Sequence, residues 1–153
     1  MIDISKTVLN AQQEHWEETF TEPEAFGESP SYAGQKSAEV LRSHGVIKLL
    51  ELGAGQGRDT FLFARNGLDV TVGDYSVRGI DAILRKAKEL NLKDAIRGEC
   101  VDVRMPLPFE DETFDACYSH MLFCMALTIS ELDHLSREIR RVLKPNGLCI
   151  YTA

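Results

Sequence analysis

The sequence has no excess of positive charge and no long apolar run. Its 153 residues contain 17 Lys and Arg against 24 Asp and Glu, for a formal net charge of -7 at pH 7. This charge argues against nucleic acid or an anionic membrane as a partner, because both need a basic surface. No apolar run approaches the roughly 18 residues of a membrane span. The first residues contain no signal-peptide core, so we expect a cytoplasmic protein.

Cysteine and histidine are also scarce, with four of each. The cysteines are Cys100, Cys117, Cys124 and Cys149, and none of them forms a C-x-x-C pair. Three fall within predicted buried strands, so we interpret them as reduced core thiols rather than as disulfides or zinc ligands. The histidines have no metal-ligand spacing, and we expect no metal.

The remaining composition is sufficient for one domain, because 44% of the residues are hydrophobic and a chain of this length can bury a core. We predict a single domain over residues 1–153. Residues 1–45 would form N-terminal helices and a loop, and residues 46–153 an α/β core. The loop over residues 21–34 is rich in Pro, Gly and Ser, and it is long enough to be a lid or a binding loop.

Strand and helix patterns alternate through the second part of the chain. Such alternation predicts a doubly wound α/β domain with a mainly parallel sheet and right-handed crossovers. The predicted strands are 46–52, 68–73, 95–101, 114–119 and 148–152, and the predicted helices are 3–20, 35–43, 76–90, 121–127 and 130–144, with a further helix after Gly57.

The segment Lys48–Thr60 joins the first strand to the following helix through Gly53, Gly55 and Gly57. A strand that turns through glycines into a helix lets a ligand approach the backbone, where the helix N–H groups point outward. This predicts a nucleotide-type cofactor site. The sixth position counted from Gly53 is Arg58, which is too large for the dinucleotide fingerprint and argues against an NAD-dependent oxidoreductase.

Three carboxylates follow the predicted strands. Glu51, Asp74 and Asp102 stand at the ends of strands 1, 2 and 3. Ligands of doubly wound sheets bind beyond these ends, so we expect the three to converge on one crevice. Asp74 is placed to accept hydrogen bonds from both hydroxyls of a ribose, or alternatively to cap the helix that begins at Ser76. Asp102 is placed to recognise an adenine amino group, or alternatively is a solvated turn carboxylate.

Four motifs stand in order within residues 46–152, namely ELGAGQG, VGDYS, DVRMPLPFEDETFDACYS and LKPNGLCIYT. Together they resemble the class I methyltransferases that use S-adenosylmethionine, in particular the small-molecule enzymes related to quinone biosynthesis. An upstream segment, WEETFTEPEAFGESPS, is similar to tellurite-resistance and thiol-type methyltransferases. The resemblance implies a Rossmann-like methyltransferase fold, S-adenosyl-L-methionine as cofactor, S-adenosyl-L-homocysteine as product, and in-line transfer to a small-molecule acceptor.

The resemblance also implies a set of cofactor-binding residues. The glycine loop would support the methionine part and the ribose, and Glu51 would orient that loop or hold the cofactor ammonium. Asp74 would accept the ribose hydroxyls, and Tyr75 would pack beside the adenine. The implied set is Tyr32, Glu51, Gly53, Ala54, Gly55, Asp74, Tyr75, Ser76, Asp102, Val103 and Ser119.

Other members of this set would act at the two ends of the cofactor. Asp102 and Val103 would recognise the adenine edge, and Ser119 would approach the methionine part through its backbone. Tyr32 would close over the cofactor, or is a surface aromatic residue. His120 is the candidate catalytic residue, as a general base for an acceptor that arrives protonated. Its alternatives are a histidine that only supports the residues in contact with the acceptor, or one that starts a helix.

Members of this family continue past strand 5 with a helix and two further strands, which this sequence does not contain. We therefore expect an uncovered edge at strand 5 and a homodimer formed through it. The motifs do not identify the acceptor. The alternative function is an S-adenosylmethionine-binding regulatory or assembly module without catalysis.

Overall fold

The computed structural model describes the backbone of residues 4–153 and the side chains of residues 11–153. Residue 3, where the first helix was expected to begin, lies outside the described residues. None of the described helices combines the length and the apolar character that a membrane span requires. The elements are α1 (Ile4–Thr19), α2 (Tyr32–Ser43), β1 (Lys48–Leu52), α3 (Arg58–Arg65), β2 (Asp69–Asp74), α4 (Val77–Glu89), β3 (Ile96–Cys100), β4 (Phe114–His120), α5 (Ile129–Val142) and β5 (Leu143–Thr152).

The five strands form one sheet in the order β3-β2-β1-β4-β5, and every neighbouring pair is parallel. This confirms the predicted doubly wound, parallel α/β architecture. The strand order reverses between β1 and β4, so the connections that follow these two strands run towards opposite edges of the sheet. A crevice at the carboxyl ends of the strands is the expected ligand position in this topology.

The central strand β1 is buried on both faces, as its apolar run predicts. Leu49 packs into the core formed with α2, α3 and α4. Leu50 and Leu52 pack into the second core, which includes α5. Helices therefore cover both faces of the sheet and hold the carboxyl end of β1 in a fixed position.

Helix α2 begins at Tyr32, three residues before the predicted start. Ser31 is its N-cap, and its hydroxyl accepts a hydrogen bond from the Gly34 backbone at 2.8 Å. Asp59 accepts hydrogen bonds from both the backbone and the hydroxyl of Ser31, each at 2.7 Å. A Cβ at Gly34 would lie 2.4 Å from an Asp59 oxygen, so glycine permits this approach of α2 to α3.

The helix predicted over residues 121–127 is absent, and the segment forms turns. Met121 has φ 62°, and its backbone N–H donates to Thr152, which directs the chain out of β4 without starting a helix. The apolar residues Leu122 and Phe123, which suggested a helix, pack against the second core. Helix α5 then starts behind Thr128, whose capping box with Glu131 fixes its N-terminus.

Strand β5 begins at Leu143, five residues before the predicted start. Residues 145–147 form an irregular part of this strand, where Asn146 has φ 63° and the pairing register shifts between Phe114 and Ala116 of β4.

The interpretation of the cysteines as core residues is correct for Cys117 only. Cys100 and Cys149 lie on the two outer strands and Cys124 in a turn, so these three are exposed, and all four are free thiols.

Candidate functional site

A cavity of about 370 Å³ opens at the carboxyl ends of the strands, where the strand order reverses. Its volume lies within the roughly 300–1,000 Å³ of small-molecule pockets. Glu51, Asp74 and Asp102 all line this cavity. The structure thus brings together the three carboxylates that the sequence placed at the strand ends. Their individual roles towards a ligand stay predictions.

The glycine loop lines the same cavity through Gly53, Ala54 and Gly55. The loop is held from below, because the Gly55 backbone N–H donates to Asp74 Oδ2 at 2.8 Å. At Gly57, φ is 86° and a Cβ would lie 2.8 Å from the Ile83 side chain, so only glycine fits between the loop and α4. This tight packing fixes the loop beneath the cavity.

Asp74 is buried and holds two backbone segments. Besides the bond from Gly55, its Oδ1 accepts a hydrogen bond from the Ser76 backbone at 2.8 Å. Burial raises the pKa of this carboxyl, and the backbone hydrogen bonds oppose the increase. The Tyr75 backbone N–H also contributes to this lowering, so up to three of the roughly four acceptor positions of the carboxylate are used by the backbone. Asp74 therefore combines a helix-start contact with remaining acceptor capacity at the wall of the cavity.

Glu51 is 3% exposed, and Thr60 Oγ1 donates to its Oε2 at 2.6 Å. The pKa of Glu51 is raised to about 8, chiefly by burial and also by the nearby Asp59 and Asp74, while the hydrogen bond from Thr60 lowers it. A cationic group bound in the cavity would stabilise the ionised form. Glu51 is therefore a carboxyl group whose charge depends on what the cavity contains.

Asp102 is engaged by Arg104, a residue that the sequence reasoning did not select. Arg104 Nη2 lies 2.7 Å from Asp102 Oδ2 and 2.9 Å from the Tyr75 hydroxyl, and Arg104 Nε lies 3.0 Å from Asp102 Oδ1. Burial alone would raise the pKa of Asp102, but hydrogen bonds from Arg104 lower it. Asp102 is thus not a solvated turn carboxylate. Asp102 and Val103 both line the cavity.

Aromatic residues that the motifs did not identify cover the cavity. Trp16 and Phe20 of the α1 segment stack with ring centroids 5.7 Å apart, and Phe26 packs beside both. All three line the cavity. The Glu17 carboxylate anchors this cover, because it accepts hydrogen bonds from Ser76 Oγ at 2.9 Å and from the next two backbone N–H groups. The i, i+4 spacing of Trp16 and Phe20 was the available signal.

Three residues of the expected set do not line this cavity. Ser76 is fully buried as the N-cap of α4, and its hydroxyl is used between Gly79 and Glu17. Ser119 is buried within the sheet, paired with residues of β1 and β5. Tyr32 is 76% exposed at the start of α2 and lines a neighbouring cavity. Ser76 and Ser119 therefore lie outside the lining of this cavity, and their contacts with a cofactor, including the backbone approach expected of Ser119, stay predictions.

His120 lies between the two cavities and lines both. Its Nδ1 is 2.7 Å from Thr152 Oγ1, which fixes the ring. The second cavity has a volume of about 580 Å³. It shares Phe26, Gly27, Arg58 and His120 with the first cavity. His120 is thus the candidate base that faces the point where the two spaces meet.

Comparisons with known proteins identify the family of the chain and agree with its fold. Residues 50–151 match the protein family described as "Methyltransferase domain". Phosphoethanolamine N-methyltransferase 1 of Triticum aestivum is 34% identical over 128 residues, which cover 82% of this chain and 22% of that enzyme.

Solved structures are similar as well. The [4+2]-cyclase SpnF is similar to this chain with a TM-score of 0.71 at 25% identity, and the match covers 91% of this chain and 58% of the SpnF chain. A second similar structure is geranyl diphosphate C-methyltransferase of Streptomyces coelicolor A3(2), in complex with S-adenosyl-L-homocysteine. Its TM-score is 0.60 at 26% identity, and the match covers 72% of this chain and 42% of that enzyme. The chain therefore spans less than two thirds of the length of each of these proteins.

Proposed function

This chain belongs to the methyltransferase domain family, as a class I S-adenosylmethionine-dependent member, and we propose that it transfers a methyl group from S-adenosylmethionine to a small-molecule acceptor. The observation that carries the proposal is the cavity at the strand ends. There the glycine loop, Glu51, Asp74 and Asp102 meet within one space of about 370 Å³.

The residues of this cavity fit the chemical groups of the cofactor. Asp74 has free acceptor capacity for ribose hydroxyls, and Glu51 presents a carboxyl group suited to an ammonium. Asp102, Val103 and the Tyr75 ring surround the expected adenine position. The complex of the geranyl diphosphate enzyme with S-adenosyl-L-homocysteine supports the same cofactor for this chain.

When bound, the cofactor supplies a methyl group already activated by a sulfonium. The residues of this chain then need to align donor and acceptor and to exclude water, which the aromatic cover of Trp16, Phe20 and Phe26 favours. Glu51, Asp74 and Asp102 would hold the cofactor in this cavity, and its sulfonium would supply the methyl group to the acceptor lone pair and leave as a neutral thioether. For an acceptor that arrives protonated, His120 Nε2 accepts the proton while Nδ1–H donates to Thr152.

We also propose a cytoplasmic location and a homodimer. Four free thiols fit a reducing compartment. The homodimer would form through the outer strand β5, where Tyr151 is 59% exposed. Sedimentation at increasing protein concentration tests this, and Tyr151→Lys is expected to shift the population towards monomer. A wild-type protein that stays monomeric at all concentrations would contradict the dimer.

Calorimetric titration with S-adenosylhomocysteine and with NAD tests the cofactor assignment. We expect saturable binding of the first and none of the second. A screen of small-molecule acceptors, scored by the release of S-adenosylhomocysteine from S-adenosylmethionine, then tests transfer. His120→Ala should slow the reaction by about 10²–10⁴-fold for a protonated acceptor and leave an unprotonated one unaffected.

The outcomes separate the alternatives. Binding of S-adenosylhomocysteine with no product from any acceptor would favour a regulatory or assembly module. Binding of NAD alone would contradict the methyltransferase proposal.

A further inference from the structure

The second cavity contains a positive charge without a matching acid. Arg58 lines both cavities and is half-buried. Its Nη1 donates to the Phe26 carbonyl at 3.2 Å. Within the part of the chain whose side chains are described, no carboxylate forms an ion pair with it. Four of the five guanidinium donors are therefore left for a guest or for water.

The nearest acids are directed elsewhere. Asp59, the next residue, is bound by Ser31 and by the Tyr118 hydroxyl, which donates to its Oδ2 at 2.8 Å. Glu28 lines the second cavity, and its Oε1 lies 2.9 Å from Lys86 Nζ, which also lies 2.8 Å from Glu24 Oε1. Neither Asp59 nor Glu28 forms an ion pair with Arg58.

The position of Arg58 relates the charge to the reaction. Arg58, His120, Phe26 and Gly27 line both cavities, so they form the boundary between the two spaces. A molecule held by Arg58 in the second cavity would extend past His120 towards the first cavity. An acceptor bound in this way would present its nucleophile to the methyl donor.

We propose that the second cavity is the acceptor site and that Arg58 binds a carboxylate or phosphate of the acceptor. The assignment rests on the proposed methyltransferase function. A guanidinium forms two parallel hydrogen bonds with either anion, which holds the acceptor in one orientation. The acceptor class is thus a small organic anion whose nucleophilic atom lies apart from its anionic group. Tyr32, on the outer wall of this cavity, contacts the acceptor rather than the cofactor.

The test uses the full chain saturated with S-adenosylhomocysteine. Inorganic phosphate and glutarate are titrated separately at constant ionic strength, with the neutral diamide of glutarate as reference. Binding is followed by NMR through the Arg58 Nε–H signal. We expect saturable binding of at least one anion and none of the diamide. Comparison of the two anions distinguishes a phosphate site from a carboxylate site.

Matched variants separate a specific contact from a general charge effect. Arg58→Gln should weaken anion binding by about tenfold or more, and Arg58→Lys by less, because the charge remains. For the variants, binding is followed through backbone amide signals. Arg140→Gln removes the same charge from an exposed position on α5 and should leave anion binding unchanged. In the acceptor screen, acids should react at least about tenfold faster than their neutral amides.

Several outcomes would overturn the assignment. The first is a wild-type chain that binds S-adenosylhomocysteine but shows no saturable binding of either anion. The second is an Arg140→Gln variant that weakens anion binding as much as Arg58→Gln does. The third is an Arg58→Gln variant that no longer binds S-adenosylhomocysteine. The first of these leaves the proposed function intact. Failure of the wild-type chain to bind S-adenosylhomocysteine would instead remove the proposed function, and the acceptor assignment with it.

Discussion

At the scale of single residues, Asp74 links the structure of the loop to the proposed cofactor. Its two oxygens already accept backbone hydrogen bonds from Gly55 and Ser76. Asp74→Asn places an amide donor against one of those N–H groups and removes the charge that favours ribose hydroxyls. We expect the affinity for S-adenosylhomocysteine, measured by calorimetry, to fall by about tenfold or more.

Asp94 provides the control for this change. It is exposed and lies outside the cavity lining, so Asp94→Asn removes the same charge without touching the loop. Equal affinities for the wild type and the folded Asp74→Asn variant would contradict the ribose role of Asp74.

Glu51 makes stability depend on pH. Its pKa rises from 4.5 to about 8 because it is buried. Between these values the unfolded chain releases the proton and the folded chain keeps it, so Glu51 lowers the free energy of unfolding by up to about 1.4 kcal/mol per pH unit. Below pH 4.5 the group is protonated in both states, and above pH 8 it is ionised in both.

Glu51→Gln removes this ionisation. The stability of the variant relative to the wild type should therefore increase as the pH rises from 5 to 8 and then level off. Urea unfolding at several pH values measures the difference. An effect of the new amide that is independent of pH does not alter how the difference in the free energy of unfolding varies with pH. A difference that stays constant over this pH range would contradict the raised pKa of Glu51.

At the scale of elements, α1 covers the cavity and is attached to α4 through Glu17. The carboxylate bonds to Ser76 and the following N–H groups place a negative charge at the N-terminus of α4. Glu17→Ala should accelerate hydrogen exchange in residues 11–19 and weaken S-adenosylhomocysteine binding about threefold to tenfold. Hydrogen-exchange mass spectrometry and calorimetry measure the two effects.

The adjacent Glu18 is exposed on the same helix, and Glu18→Ala serves as the control. If both variants exchange hydrogen equally fast, the Glu17 contact does not hold the cover in place.

At the scale of the whole molecule, cofactor binding should stabilise the fold, because the cavity is built from segments spread over the chain. S-adenosylhomocysteine at 100 times its Kd should raise the free energy of unfolding by about 2.7 kcal/mol. For a domain of this size, that corresponds to an increase in Tm of roughly 5–10 °C. Thermal unfolding with NAD at the same concentration should show no increase, and equal shifts for both ligands would contradict a specific site.

The sequence by itself determined the architecture and the positions of the main carboxylates. The apolar run of β1, the glycine turn and the alternation of elements depend on neighbours within the chain, and parallel strands bring their ends to one edge. For this reason Glu51, Asp74 and Asp102 were predictable as a group. Local patterns failed where a distant partner decides the conformation, as at residues 121–127, where Thr152 holds Met121 out of a helix.

Only the tertiary structure decided how these residues are connected. The bond of Glu17 to α4 joins segments that are far apart in the chain, and Arg58 and His120, which are similarly distant in sequence, line the same two cavities. The contact of Arg104 with Tyr75 is of the same kind. No local period or spacing encodes such contacts, because they depend on how helices pack over a twisted sheet. The sequence therefore specified the fold and the chemistry of the strand ends, and packing determined the cover of the first cavity and the charge of the second.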